Sequence, residues 1–155
     1  MAGPQLDSTD LKILRELQRE GRITNVELAS RVGLSAPPCL RRVQALERNG
    51  TIAGYRALLD AQQLGFTVQA FALVGLKSQA EQELSAFAAK AQSWPLVREA
   101  YAISGEADFL LKCMAKDLPG LQDFIINELT AAPSVESVKT SLILRQGKYE
   151  PGVPL

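Results

Sequence analysis

The spacing of apolar residues along the chain changes near residue 67. Before that point, apolar residues recur every three or four positions, as on one face of an α-helix. After it, stretches with apolar residues on alternate positions, typical of strands, are interleaved with helical stretches. The pattern predicts three regions: a helical domain over residues 1–50, a strand and linker over 51–66, and a mixed α+β domain over 67–155.

Residues 24–49, TNVELASRVGLSAPPCLRRVQALERN, predict two helices joined by a tight turn. Thr24 and Glu27 form a capping-box pattern, so a helix is expected to begin after Thr24. Gly33 supplies the backbone freedom for a sharp turn, and Ser35 is a favourable N-cap for the next helix. An earlier helix over about residues 8–20 would complete a trihelical domain.

The second helix of this pair has two faces of different chemistry. One face carries arginines, prolines and a small residue but no acid, which suits a groove lined with phosphates and guanine edges. The alternative is a solvated surface helix in a helical hairpin, and residues 24–49 alone leave both interpretations open. The exposed face is predicted to hold Pro37, Pro38, Arg41, Ala45 and Arg48, flanked by Arg42 and Gln44. The inner positions are predicted as Cys39, Leu40, Val43 and Leu46, with Val26, Leu28, Ala29 and Val32 on the preceding helix.

The distribution of charge favours DNA binding. The whole chain balances 17 Lys and Arg against 17 Asp and Glu. Between residues 31 and 56, however, five arginines stand against one glutamate. A neutral chain with a local basic patch is typical of a DNA-binding module attached to another domain. The predicted contacts with double-stranded DNA are Thr24 and Asn25 at phosphates, Ser35 and Pro37 near the groove, and Arg41, Arg42 and Arg48 on the duplex.

The region from residue 67 predicts the order βαββαβ, a ferredoxin-like arrangement within an α+β chain. Strands are expected near 67–77, 97–104, 108–115 and 135–145, and a capping box at Ser78 and Glu81 is expected to start the first helix. Two helices cover one face of such a sheet. The other face, with Phe71, Leu73 and Ile143 as candidates, is expected to pack on another copy of the chain.

The composition excludes several kinds of site. The chain has no histidine, and it lacks a P-loop, a GxGxxG turn, a G-x-S-x-G elbow and paired metal-ligand spacings. We therefore expect no catalytic residues, cofactor or metal. Cys39 and Cys113 are expected to be reduced, packed thiols. No apolar run approaches 18 residues, and MAGPQLDSTD lacks a signal-peptide core, so a cytoplasmic protein without membrane contact is expected.

Two long blocks of sequence resemble the leucine-responsive regulatory protein/AsnC family of bacterial and archaeal transcription regulators. These are LDSTDLKILRELQREGRITNVELASRVGLSAPPCLRRVQALERNGTIAGYRALLD and YAISGEADFLLK, and GLSAPPCLRRVQALE resembles the leucine-responsive branch. The resemblance implies an N-terminal winged helix-turn-helix, a linker strand and a C-terminal effector-binding domain. It also implies dimerisation through the sheet and assembly of homodimers into tetramers or octamers.

The turn Gly105-Glu106-Ala107-Asp108 is the candidate effector site. Its glycine could expose N–H groups to an α-carboxylate, and its acids could bind an α-ammonium group. From the residues alone, a simple hairpin turn with Asp108 bonded to its own backbone is the favoured interpretation. The resemblance reverses that preference, because the family's pocket is centred on a Gly-acid-x-Asp turn and takes a small molecule, with an amino acid expected. The candidates are Ala102, Ser104, Gly105, Glu106 and Asp108, with Thr140 and Ser141 added. Ala107 departs from the larger residue of many members, which leaves the effector preference open.

Two other classes of protein share parts of this outline. Enzymes that decarboxylate haem precursors have a similar two-domain arrangement, but that likeness rests on histidines, which this chain lacks. An assembly module without DNA binding would be favoured by loss of the arginine face, and the arginines are present. A DNA-binding regulator is therefore the predicted function.

Overall fold

The computed structural model describes residues 5–155, which form two compact units. The helical unit comprises the described residues up to Leu58 together with Tyr149–Leu155, and the sheet unit comprises Leu59–Lys148. The last seven residues thus belong with the helical unit, although they lie in the region 67–155 that the sequence pattern treats as one domain.

Three helices build the helical unit: α1 (Ser8–Arg19), α2 (Asn25–Val32) and α3 (Ala36–Arg48). Asp7 and Asp10 form a reciprocal capping box at the start of α1. Gly33 ends α2 with φ 76°, in the left-handed region that favours glycine, so the predicted sharp turn is confirmed. Residues 51–58, predicted to be extended, form no regular strand within the chain.

The core of the helical unit holds most of the predicted inner positions. Two of those predictions are wrong: Val26 is 71% exposed and Leu40 is 44% exposed. Helical spacing puts both residues near the edge of the apolar stripe, where the packing of three short helices decides which side of the edge is covered. The buried residues are Ile13, Leu28, Ala29, Val32, Cys39 and Leu46.

The sheet unit has the predicted order of elements. These are β1 (Val68–Leu76), α4 (Glu81–Gln92), β2 (Val97–Ala102), β3 (Phe109–Ala115), α5 (Leu118–Phe124) and β4 (Val135–Leu142); α5 continues as a π-helical turn over Ile125–Leu129. The strands are antiparallel in the order β2-β3-β1-β4, which is ferredoxin-like. The capping box predicted at Ser78 is absent, since the Ser78 hydroxyl accepts from the Ala80 N–H and α4 begins at Glu81 with Ala80 as its N-cap residue.

Successive side chains of β1 point alternately to the two faces of the sheet. Ala70, Ala72 and Val74 are fully buried beneath the helices, together with a cluster of four aromatic rings. Phe71 and Leu73 point to the opposite face and remain more than a third exposed. The strand register aligns these with Tyr101, Leu110, Met114 and Ile143 on the uncovered face. The aromatic cluster consists of Phe87, Trp94, Phe109 and Phe124.

The two cysteines are packing residues of different units. Cys39 lies in the helical core and Cys113 beneath the sheet, both buried and free of disulfides. Burial raises the pKa of the Cys113 thiol to about 11, so this thiol stays protonated near neutral pH. In the part of the chain that the structure describes, none of the helices combines the length and apolarity that a membrane span requires.

Candidate nucleic-acid interface and ligand pocket

The exposed side of α3 presents a row of residues at helical spacing. Pro37, Arg41, Ala45 and Arg48 are all exposed along it. Among the described residues, neither arginine of this row forms an ion pair. Ser35 is the N-cap residue of α3, yet its hydroxyl makes no capping hydrogen bond. This side of the helix thus offers cations and a polar group without intramolecular partners among the described residues.

Arg42 has a different environment from the other two predicted arginines. Its Nη1 lies 2.8 Å from Asp7 Oδ2 and 2.8 Å from Asp10 Oδ1. The pKa of Asp7 is lowered, first by the hydrogen bond from the Asp10 backbone N–H and then by Arg42. Arg42 therefore braces α3 against the start of α1 through Nη1, and contact with DNA through its other N–H groups stays a prediction.

This brace leads to a prediction about acid stability. Asp7 has a lowered pKa in the folded protein, so its contribution exists above the unfolded pKa near 3.8 and disappears as the pH falls through the lower folded value. Arg42→Ala should lower the melting temperature at pH 7 and weaken the fall in stability below pH 4. Thermal unfolding of wild type, Arg42→Ala and the matched control Arg41→Ala between pH 2.5 and 7 measures this; equal acid profiles for all three would contradict the brace.

Thr24 and Asn25 lie at the start of α2. The Thr24 hydroxyl accepts from the Glu27 N–H at 3.2 Å and caps α2. The Asn25 amide donates to the Ala36 carbonyl at 2.8 Å, while its own buried Oδ1 has no partner among the described residues. The Asn25 side chain thus links the start of α2 to the start of α3, and contact with phosphates stays a prediction for both residues.

Arg31 contributes less to the basic patch than the sequence suggested. Its guanidinium bonds to Glu16 at 3.1 Å, to Glu20 at 3.0 Å and also to Glu27. These three carboxylates raise its pKa, the Glu27 hydrogen bond being the largest cause. Among the arginines of α2 and α3, those outside the ion pairs of the described residues are therefore Arg41 and Arg48.

A small pocket of about 180 Å³ lies on the sheet unit beside the turn after β2. Glu106 and Lys139 stand on its rim, with the Lys139 Nζ 4.0 Å from Glu106 Oε2, and both side chains are largely exposed. Gly75 opposes Ser137 in the sheet, and a Cβ added at residue 75 would lie 2.6 Å from the Ser137 hydroxyl. The pocket is lined by Leu73, Gly75, Ile103, Glu106, Ala107, Ser137 and Lys139.

Asp108 holds the turn against the adjacent strand. Its Oδ2 accepts from the Leu76 N–H at 2.7 Å, and its own N–H donates to the Val74 carbonyl at 2.9 Å. The register of β1 and β4 shifts between Gly75 and Leu76, so this carboxylate satisfies a backbone group at an irregularity of the sheet. Its carbonyl closes the hairpin by accepting from the Ile103 N–H at 3.0 Å, but its side chain bonds to β1 and not, as the hairpin interpretation expects, to its own backbone.

The other predicted effector residues lie either at the turn after β2 or on β4. Ala102 ends β2, and Ser104 and Gly105 form the exposed turn. Thr140 and Ser141 lie on β4 opposite Ala72 and Phe71, farther along the sheet than Ser137. Among the predicted residues, Glu106 is the one that lines the described pocket. Ser137 and Lys139 were missed because their place beside the turn depends on the register of β4 with β1.

Comparison with known proteins identifies both units. Residues 6–53 match the family described as winged helix-turn-helix DNA-binding, and residues 69–153 match the Lrp/AsnC ligand binding domain. The chain belongs to the Lrp/AsnC family. It is a transcription regulator with a DNA-binding helix-turn-helix and a ligand-binding domain, not an enzyme.

Relatives of the Lrp/AsnC family match over nearly the whole chain. A leucine-responsive regulatory protein of Rhizobium meliloti is 62% identical over 144 residues, covering 93% of this chain and 92% of the relative. The transcriptional regulator AzlB of Bacillus subtilis is 35% identical, covering 99% and 98%. A crystal structure of a Neisseria meningitidis transcriptional regulator in complex with L-Met superposes with a TM-score of 0.93 at 38% identity, covering 97% of both chains. The predicted family, fold class and type of function are thereby confirmed.

Proposed function

We propose that this Lrp/AsnC regulator reads its operator through the exposed side of α3. The observation that carries the proposal is the pair Arg41 and Arg48, exposed and outside the ion pairs of the described residues. Ser35 and Pro37, at the start of the helix, would approach the phosphates that flank the bases. Thr24, Asn25 and Arg42 would act mainly by holding the helices, because their polar groups bond within the unit.

We further propose that an amino acid is the effector and that it binds beside the turn after β2. A free amino acid carries an ammonium and a carboxylate on one carbon. Glu106 and Lys139 supply the two complementary charges about 4 Å apart across the rim of the pocket. The L-Met complex of the Neisseria meningitidis relative supports this class of ligand. Asp108 would support the site indirectly by holding the turn to β1.

This assignment predicts separate effects for the rim and the turn. Lys139→Ala and Glu106→Gln should each weaken amino-acid binding by about tenfold, since each removes one charge-assisted bond. Asp108→Ala should instead lower stability by about 1–3 kcal/mol, because the Leu76 N–H loses its partner. Isothermal calorimetry, with the amino acid that gives the largest thermal shift, measures the first effect and thermal unfolding measures the second.

The matched control is Lys116→Ala, which removes the same charge beyond the far end of β3. Affinity unchanged in both rim variants would move the effector away from this pocket. An equal loss of affinity in Lys139→Ala and in the control would mean that net charge, and not the pocket, causes the loss.

We propose that the uncovered face of the sheet joins two copies into a homodimer, with dimers assembling further into a tetramer or an octamer. Phe71, Leu73 and Tyr101 are each at least a third exposed on that face, and an apolar patch of this kind is typical of an interface. A two-fold dimer would carry two recognition helices and read two half-sites.

Because a regulator of transcription works on chromosomal DNA, we also propose a cytoplasmic location.

A further inference from the structure

Three polar side chains of β2 and β3 form a cluster on the uncovered face of the sheet. The Lys112 Nζ donates to Glu99 Oε1 at 3.0 Å, and the Tyr101 hydroxyl donates to Glu99 Oε2 at 2.5 Å. Both oxygens of the carboxylate therefore accept a hydrogen bond, one of them from a cation. The pKa of Glu99 is lowered, first by the Tyr101 hydrogen bond and then by Lys112, so this carboxylate is ionised near neutral pH.

The strand register connects this cluster to the centre of the uncovered face. Lys112 lies directly opposite Phe71 on β1 and opposite Glu99 on β2. Side chains that oppose one another in an antiparallel pair stand about 5 Å apart. The Lys112 side chain is 18% exposed, compared with 42% for Glu99. A second copy that covers Phe71 would therefore also cover the lysine and remove water from the carboxylate beside it.

Burial changes the contribution of an ion pair to association. An exposed pair contributes little because water screens it, as expected for Lys139 and Glu106, which are 4.0 Å apart and largely exposed. In a buried interface, removal of one partner leaves an uncompensated charge and disrupts association, whereas replacement of both partners by neutral residues is often tolerated. Substitutions at the two charged positions of the cluster therefore distinguish a buried pair from an exposed one.

We propose that the cluster of Tyr101, Glu99 and Lys112 is a determinant of dimer formation. The cluster is buried when two copies pair, and Lys112 neutralises the Glu99 carboxylate, whose charge would otherwise oppose burial. The inference rests on the proposed homodimer and names the residues that make its interface compatible with burial. The partner that this face fits is a second copy, because a cluster whose charges are already paired requires no opposite charge from the other side. Two-fold symmetry places the cluster in the interface twice, so each substitution acts twice.

A charge removed and then rescued tests this role. Lys112→Met should raise the dissociation constant of the dimer by at least about tenfold, because the Glu99 carboxylate loses its cation in the interface. Lys112→Met/Glu99→Gln should return the constant to within about threefold of wild type, since glutamine is neutral and still offers an acceptor to the Tyr101 hydroxyl. Fluorescence-detected sedimentation of the full-length protein from nanomolar to micromolar concentration measures these constants.

Lys90→Met is the matched control, because it removes the same charge from an exposed position of α4 on the covered side of the sheet. The control should leave the dissociation constant unchanged, and circular dichroism checks that each variant is folded. Dimers of Lys112→Met as tight as those of the wild type would overturn the proposal. A double variant as weak as Lys112→Met would also overturn it, since lost packing and not charge would then be the cause.

Phe71→Asp separates the role of the cluster from the dimer interface itself. If Phe71→Asp gives monomers while Lys112→Met leaves the dissociation constant unchanged, the interface stands and the role of the cluster is excluded. If Phe71→Asp leaves the dimer intact, the interface is excluded, and the role of the cluster with it.

Discussion

Replacing Arg41 and Arg48 with alanine should lower the affinity of the protein for its operator by about a hundredfold or more. Each guanidinium that contacts a base contributes about 1–3 kcal/mol of binding free energy, and each phosphate contact also steepens the salt dependence. Both side chains are exposed on one side of α3 and have no ion pair among the described residues. Their loss should therefore leave the fold intact while weakening binding and flattening its salt slope.

Fluorescence anisotropy at several salt concentrations measures both quantities, with an operator selected from random DNA. Arg15→Ala/Arg19→Ala is the matched control, because it removes two exposed arginines from α1 of the same unit. The control should retain most of the affinity for the selected operator. Equal losses in the two double variants would mean that net charge, not the α3 face, determines binding.

Phe71→Asp should convert the assembled protein into monomers at micromolar concentration. Phe71 is 37% exposed at the centre of the uncovered sheet face, and a two-fold interface would contain the substitution twice. Even beside a cation, a carboxylate buried in an apolar interface loses its hydration at a cost of several kcal/mol, so association should weaken by at least about a hundredfold. Lys112 lies directly opposite Phe71 on β3, so the aspartate gains a cationic neighbour in the monomer, which favours retention of the fold.

Sedimentation velocity distinguishes the species, and circular dichroism checks the fold. Ile126→Asp is the control, because it introduces the same charge at an exposed apolar residue of the helical layer. The control should leave the dimer unchanged. A Phe71→Asp protein that sediments as the wild type does would exclude this face as the dimer interface.

Local signals in the chain were sufficient to predict most of the fold. The cap at Thr24 and the glycine turn at Gly33 act within a few residues, so both ends of α2 follow from nearby positions. Leu40 shows where such signals fail, because helical spacing alone does not decide which residue at the edge of a stripe is covered.

The roles of the site residues were harder to predict, because they depend on contacts between residues far apart in the sequence. Arg42 bonds Asp7 and Asp10, which lie 35 and 32 residues earlier, so its bracing role has no local signature. Lys139 comes beside Glu106 through the pairing of β4 with β1.

Selection of bound sequences from a random DNA library with the purified protein tests the central claim most directly. If α3 reads the major groove and two copies act together, the recovered DNA should contain a motif of two related half-sites. Their centres should lie about 10–10.5 base pairs apart or a multiple of that spacing, because only then do both recognition helices face the same side of the duplex. The Arg41→Ala/Arg48→Ala protein should recover no such motif. Recovery of sequences without a shared motif by the wild-type protein would contradict sequence-specific regulation through this helix.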